Sequence, residues 1–237
     1  VDEWYNNKEE AILKYGHISY WNIIYIKSMC MLFMNLYDFN DDISDWNTSN
    51  VIYIEYCFTN CKNFNQPLNN WNISNVQTIR HMFKGCKIFN QPLNNWNTYN
   101  ITNMSYTFRD TDNFNQPLNN WNVSNVNDMY SMFYNAIRFN QNLNSWNISN
   151  TIDIRFIFIN ALSFDKNNIS NWKFKNNTIY QPIFSNNSTN EYCTSYLDYK
   201  INKIYKNIVK PSFIIIGTIG IIGITYKIIN TIYNNLK

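Results

Sequence analysis

The chain has 237 residues, a formal charge of +3 and no long basic run, so the broad positive footprint of a nucleic-acid binder is missing and no nucleic-acid partner is expected. Asn supplies 47 residues beside abundant Ile, Lys and Tyr, a composition that low-GC codon choice explains without special pleading. Five cysteines are too few for a disulfide scaffold. Cys61 and Cys86 share a repeat position with Ala136 and Ala161, which reads as a small buried residue rather than a bridge or metal ligand.

The sequence opens on Val1 rather than Met and so reads as a fragment or a processed chain, with any N-terminal signal out of sight. Residues 1–17 carry an amphipathic stretch with Ala11, Ile12 and Tyr15, which predicts a capping helix over the first repeat. From there one period governs the chain. Trp21, Trp46, Trp71, Trp96, Trp121 and Trp146 recur every 25 residues and Trp172 follows after 26. Phe39, Phe64, Phe89, Phe114, Phe139 and Phe164 form a second column, and Phe33, Phe58, Phe83, Phe108, Phe133 and Phe158 a third. A strict period of this length marks stacked structural repeats. Residues 18–175 are therefore expected to form six repeats and a partial seventh.

Within the unit Leu68–Pro92, Leu68, Trp71 and Ile73 have the spacing of a leucine-rich-repeat strand, with Trp71 and Ile73 facing inward and Asn70, Asn72 and Ser74 outward. Val76, Ile79, Met82, Phe83 and Cys86 then fall on one helical stripe, with Ser74 or Asn75 as N-cap. Gln91-Pro92 punctuates the turn before Leu93 opens the next unit. The fold predicted is an α/β repeat solenoid: strand–turn–short helix units, a parallel sheet on one face, and tryptophans piled beneath it.

Past the repeats, 176–210 is a polar and basic linker. Pro211 to Tyr226 is uncharged, and with Lys227 snorkelling the apolar stretch 211–232 is long enough for a transmembrane helix, followed by a short tail at 233–237. Lys200, Lys203, Lys206 and Lys210 before the span place the repeats on the cytosolic side by the positive-inside rule.

The string FNQPLNNWN at Phe64–Asn72 and Phe114–Asn122, followed by Ser-Asn-Val and Met-Phe at fixed spacing, resembles the BspA-like leucine-rich-repeat surface proteins in their 25-residue mycoplasma-type form. The resemblance covers about two thirds of the chain. It implies a surface protein of low-GC bacteria or a gene product of large DNA viruses, acting in adhesion or host interaction, and it brings no catalytic residue. It also implies repeats outside the cell, opposite to the lysine count, so the side of the membrane stays open.

Other motifs read as structure. Asp38, Asn40, Asp42 and Ser44 alternate like half a calcium loop, but Ile43 stands where Gly is required and Ser49 where Glu must close it. Ten N-x-S/T sequons occur; those at Asn47, Asn72, Asn122 and Asn147 lie in one repeat column and predict an Asn ladder, whereas Asn186 and Asn187 lie in the linker, where glycosylation is feasible. Arg80, His81, Lys84 and Lys87 form a small basic cluster placed on a helix exterior, which reads as a solvated face rather than an anion site. His17 and His81 are far apart in the stack, so no triad can be assembled. The expected function is a membrane-anchored, non-enzymatic scaffold binding a protein or cell-surface macromolecule, without cofactor or metal. The contact residues expected are Asn70, Asn72, Asn95, Asn97, Tyr99, Asn120 and Asn122. The alternatives are a structural coat component without a ligand and a carbohydrate-active enzyme using Asp110 and Asp128.

Overall fold

The computed structural model describes residues 1–175, 177–180 and 182–184, which belong to one compact unit, Val1–Ser185. It opens with helices α1 (Asp2–Asn6) and α2 (Lys8–Tyr15). Asn7 caps α2 reciprocally: its side-chain oxygen accepts from the Glu10 amide at 3.4 Å and its Nδ2 donates to the Glu10 carboxylate at 2.6 Å. Gly16 ends the helix at φ +72°. Of the expected capping face, Ala11 is fully buried, but Ile12 and Tyr15 are 38% and 49% exposed. The anchor is Trp4, buried edge-on against Trp21 at 5.8 Å, with its Nε1 donating to Asp41 Oδ2 at 2.7 Å. Lys8 pairs with the same carboxylate.

The unit that follows is built from turns. The strand expected at 68–73 and the helix expected over 76–86 are both replaced. Among the described residues the only strand-like pairings are isolated parallel bridges such as Thr78–Asn103, Asn103–Asp128 and Asp128–Asp153, each one repeat apart. Alternate amides do different work. The N–H groups of Ile79, His81, Phe83 and Gly85 donate to Asn103, Ser105, Thr107 and Arg109 of the next unit at 2.8–3.1 Å, while those of Met82, Lys84 and Cys86 close three-residue turns onto Ile79, His81 and Phe83. A helix would send every amide four residues back, leaving none for the neighbouring unit. The predicted stripe is nonetheless correct in composition, because Val76, Ile79, Met82, Phe83 and Cys86 are all buried. Apolar spacing of three and four residues cannot distinguish a helix from successive turns.

This alternation requires left-handed backbone at two points per unit. One column holds Met31, Tyr56, His81, Tyr106, Ser131 and Phe156 at φ between 53° and 61°, and a second holds Asn35, Asn60, Gly85, Asp110, Asn135 and Asn160. For bulky residues this conformation costs on the order of 1–2 kcal/mol each, and the hydrogen bonds to both sides hold it. Gly85 breaks the second column where a Cβ would lie 2.5 Å from Asn60 Oδ1.

The core is three aromatic ladders. Phe33, Phe58, Phe83, Phe108, Phe133 and Phe158 stack face to face at 5.3–5.7 Å between neighbours. Phe39 through Phe164 do the same at 5.8–6.0 Å. Trp46 lies parallel to Trp71 at 6.5 Å and Trp96 to Trp121 at 6.1 Å. From Trp46 onward each indole N–H reaches into the preceding unit, as in Trp71 to the Ile43 carbonyl (3.1 Å), Trp96 to Leu68 (2.8 Å) and Trp121 to Leu93 (2.9 Å), whereas Trp21, expected in the same column, is only partly buried and donates to Gly16. Stacking continues past the expected boundary at 175: Phe184 lies on Phe158 and Phe164, and Ile179 bridges Asp153. The cysteine reading is matched by geometry, since Cys61 and Cys86 are buried thiols donating to the Phe33 and Phe58 carbonyls.

The asparagines do specific work that codon choice does not explain. Asn75, Asn100, Asn125 and Asn150 donate from Nδ2 to carbonyls of the preceding unit at 2.7–2.8 Å. Asn40, Asn65, Asn90 and Asn115 accept through Oδ1 from the backbone amide one unit on at 2.8–2.9 Å. Asn60 donates to Asn35, and Asn135 to Asp110. These ladders satisfy polar backbone left over by turns, which units without helix or sheet must do at every repeat.

Candidate binding faces

All seven residues expected to make contacts are exposed. They lie on a face of turns rather than on a sheet, and they divide by what their side chains do. Asn72, Asn97 and Asn122 accept through Oδ1 from the amides of Ser74, Tyr99 and Ser124 at 3.0–3.2 Å. Asn47 and Asn147 repeat this with Ser49 and Ser149. The sequon column is therefore a column of local side-chain turns, not the inter-unit ladder expected of it. Asn70 and Asn95 make no side-chain hydrogen bond among the described residues, and Asn120 accepts only from Asn119 Nδ2. Tyr99 projects beside them, 55% exposed. The column Asn70, Asn95 and Asn120 thus offers amides not committed to holding the backbone together.

A second face escaped sequence reasoning. His81 is not on an exterior: it is buried, with its ring between Tyr56 (4.5 Å, 13°) and Tyr106 (4.2 Å, 18°). The stack continues with Tyr130 at 5.1 Å from Tyr106 and Phe156 edge-on beyond it. Arginines lie on these rings. Arg80 stands over Tyr56 at 5.6 Å, Arg155 over Tyr130 at 5.2 Å, and Arg109 over Tyr134 at 4.2 Å and Tyr106 at 5.6 Å. Lys87 turns instead to Asp112 at 2.9 Å. The signal lay in the columns that run through Tyr56 and through Arg80, which are variable in residue type and so give no strict repeat.

Burial, then the nearby charges of Lys84, Arg80 and Arg109, lower the His81 pKa to about 4, and Nδ1 is buried without a hydrogen-bond partner. The histidine is thus neutral in the folded chain at pH 7, while in the unfolded chain it protonates near 6.5. The unfolded state binds the extra proton between those values, so this contribution to stability is complete above about pH 6.5 and is lost as the pH falls towards 4. A full shift of this size corresponds to an upper bound of about 3 kcal/mol, reduced to about 1 kcal/mol by solvent at the rim and by the tyrosine faces, which attract a cationic ring. His81→Tyr, which continues the tyrosine column at the φ that Tyr56 and Tyr106 already adopt, should flatten the pH 4–6.5 limb of urea midpoints. An unchanged slope in the variant would show that other groups set it.

The carboxylates of the enzyme alternative are occupied. Asp110 accepts from Asn135 Nδ2 at 2.6 Å and Arg109 Nε at 3.3 Å, and Asp128 from Asn103 Nδ2 at 3.0 Å and the Tyr130 amide at 2.9 Å. In the half-calcium loop, Asp38 accepts from Asn63, Asn40 from the Asn65 amide and Asp42 from the Ser44 amide. Among the described residues no three of His, Cys, Asp and Glu group so as to hold a metal ion. None of their helices is long and apolar enough to cross a membrane, and the span expected at 211–232 lies outside them, as do Asn186 and Asn187.

These features define a repeat protein whose units are joined by backbone, asparagine and aromatic ladders. The chain belongs to the family DUF285, described as Mycoplasma protein of unknown function, which matches it twice, over residues 3–111 and 86–196. The two matches overlap by about one unit. No curated protein and no solved structure matches the chain.

Proposed function

We propose that the protein is a non-enzymatic recognition scaffold of the BspA-like, leucine-rich-repeat surface type: a turn-built solenoid fixed to a membrane through 211–232 and presenting its repeat face to a protein or another cell-surface macromolecule. The observation that carries this is the column Asn70, Asn95 and Asn120, whose amides are exposed in register while the neighbouring asparagine columns are committed to the backbone. Stacked units make a wide, rigid surface, which lowers the ordering cost of binding. The amides of Asn72, Asn97 and Asn122 remain available through Nδ2.

The test is capture of a surface partner by the full chain and by the triple variant N70A/N95A/N120A. The triple variant should melt with the parent, since surface changes away from special features fall within about 0.5 kcal/mol each, and should capture at least tenfold less. Equal capture by both, or no partner for either, would favour a coat component. Protease protection of intact membranes reads the side on which the repeats lie.

A further inference from the structure

The third and fourth units gather three cations on one rim and leave them without full partners. Arg80 and Lys84 have no carboxylate partner among the described residues, and Arg109 commits only its Nε, to Asp110. The carboxylates in register nearby bond elsewhere: Asp112 pairs with Lys87, Glu55 accepts from the Cys30 thiol, and Asp128 accepts from Asn103. Tyrosine rings lie under Arg80 (Tyr56, 5.6 Å) and Arg109 (Tyr134, 4.2 Å), which restricts the side chains and lowers the entropy lost when an anion pairs with them. Between the tyrosines that carry Arg80 and Arg109, Tyr56 and Tyr106, lies His81, whose Nδ1 has no hydrogen bond. In the column of Arg80, Glu55 stands one unit earlier and Ser105 one unit later, with the next cation at Arg155 three units on; in the column shared by Lys84 and Arg109, Thr59 stands one unit before Lys84 and Tyr134 one unit after Arg109.

We propose that Arg80, Lys84 and Arg109 form a docking site for an acidic protein segment carrying two or three closely spaced carboxylates. The proposal rests on the recognition-scaffold reading and names the partner's chemistry. Planar carboxylates match the guanidinium fork bidentately. Asp110, paired with Arg109, and Asp112, paired with Lys87, interrupt the cationic patch, so it is short and suits a segment with a few carboxylates better than a long polyanion such as a nucleic acid or a sulfated glycan. The chain's small net charge of +3 agrees with a local rather than an extended anion track.

The test uses the full chain with a fluorescent hexaglutamate peptide, a hexaglutamine peptide of equal length, heparin and polyphosphate, read by anisotropy at physiological salt. Hexaglutamate should bind, weaken at least tenfold in R80Q/K84Q and again in R109Q, and loosen as salt is raised, while hexaglutamine should not bind. R80Q/K84Q should melt with the parent, and N70A/N95A/N120A should bind the peptide unchanged. Equal peptide affinity in R80Q/K84Q, or tighter binding of heparin or polyphosphate than of hexaglutamate, overturns the acidic-segment assignment. If a surface partner is still captured through Asn70, Asn95 and Asn120, that result leaves the scaffold reading standing. Failure to capture any partner removes the scaffold reading independently of the peptide result.

Discussion

Trp121→Ala should take most of the stability out of the middle of the stack, lowering the free energy of unfolding by about 4–6 kcal/mol. The indole is 3% exposed, lies parallel to Trp96 at 6.1 Å and meets Phe108 at 6.0 Å. Truncating a buried tryptophan costs about 3–5 kcal/mol in transfer and cavity terms. The lost N–H removes one of two donors to the Leu93 carbonyl, which keeps the Trp96 amide at 3.1 Å, for roughly 1 kcal/mol. Trp121→Phe separates the two, since it keeps a ring in the ladder and removes the donor, and it should cost about 1–2 kcal/mol. Asn95→Ala, one unit away on the surface, should shift the urea midpoint little. Against a typical total of 5–15 kcal/mol this is a large share, so W121A should unfold at a much lower urea midpoint than the parent by circular dichroism. A loss below about 2 kcal/mol would mean that the ladder does not bind the units together as its geometry requires.

The aromatic columns were legible in the sequence because burial repeats and each ring has one place to go. The chain's period, the inward tryptophans and the buried small residues at Cys61 and Cys86 all follow from that. The backbone was not legible. Ile79, Met82, Phe83 and Cys86 have helical spacing, yet His81 and Gly85 sit at positive φ and their amides leave for the next unit; the apolar pattern is blind to where an N–H points. The asparagines carried that information. Asn60 and Asn135 tolerate left-handed backbone, Asn72 and Asn122 close local turns, and Asn75 and Asn100 cap carbonyls that neither helix nor sheet would leave free. On the candidate faces, exposure of Asn70, Asn95 and Asn120 could be read from alternation. Of the Arg80–Lys84–Arg109 rim, Arg80 and Lys84 could be read as a basic cluster but Arg109 could not, because it comes from the adjacent unit.

Excision of one whole unit gives the sharpest test of that architecture. Deleting 93–117 joins Pro92 to Leu118 and restores the string Gln-Pro-Leu-Asn-Asn-Trp. Every ladder then re-forms with the next member of its column: Phe83 meets Phe133, Phe89 meets Phe139, Asn90 meets Asn140, and Trp121 donates to Leu68, the carbonyl that Trp96 uses now. Because each unit contacts only its neighbours, stability should fall by about one unit's share and the transition should stay cooperative. Deleting 93–104 instead removes half a unit: Phe108, Phe114 and Trp121 leave their columns together, and the alternate amides of 81–85 face side chains in place of carbonyls. That protein should lose its near-ultraviolet circular dichroism and its cooperative melt. If the two deletions behave alike, whether both fold or both fail, then register between units is not what holds the chain. The whole-unit deletion also removes Arg109 and Tyr106 while keeping Arg80 and Lys84, so a folded product that no longer binds hexaglutamate would show that the site needs two adjacent units.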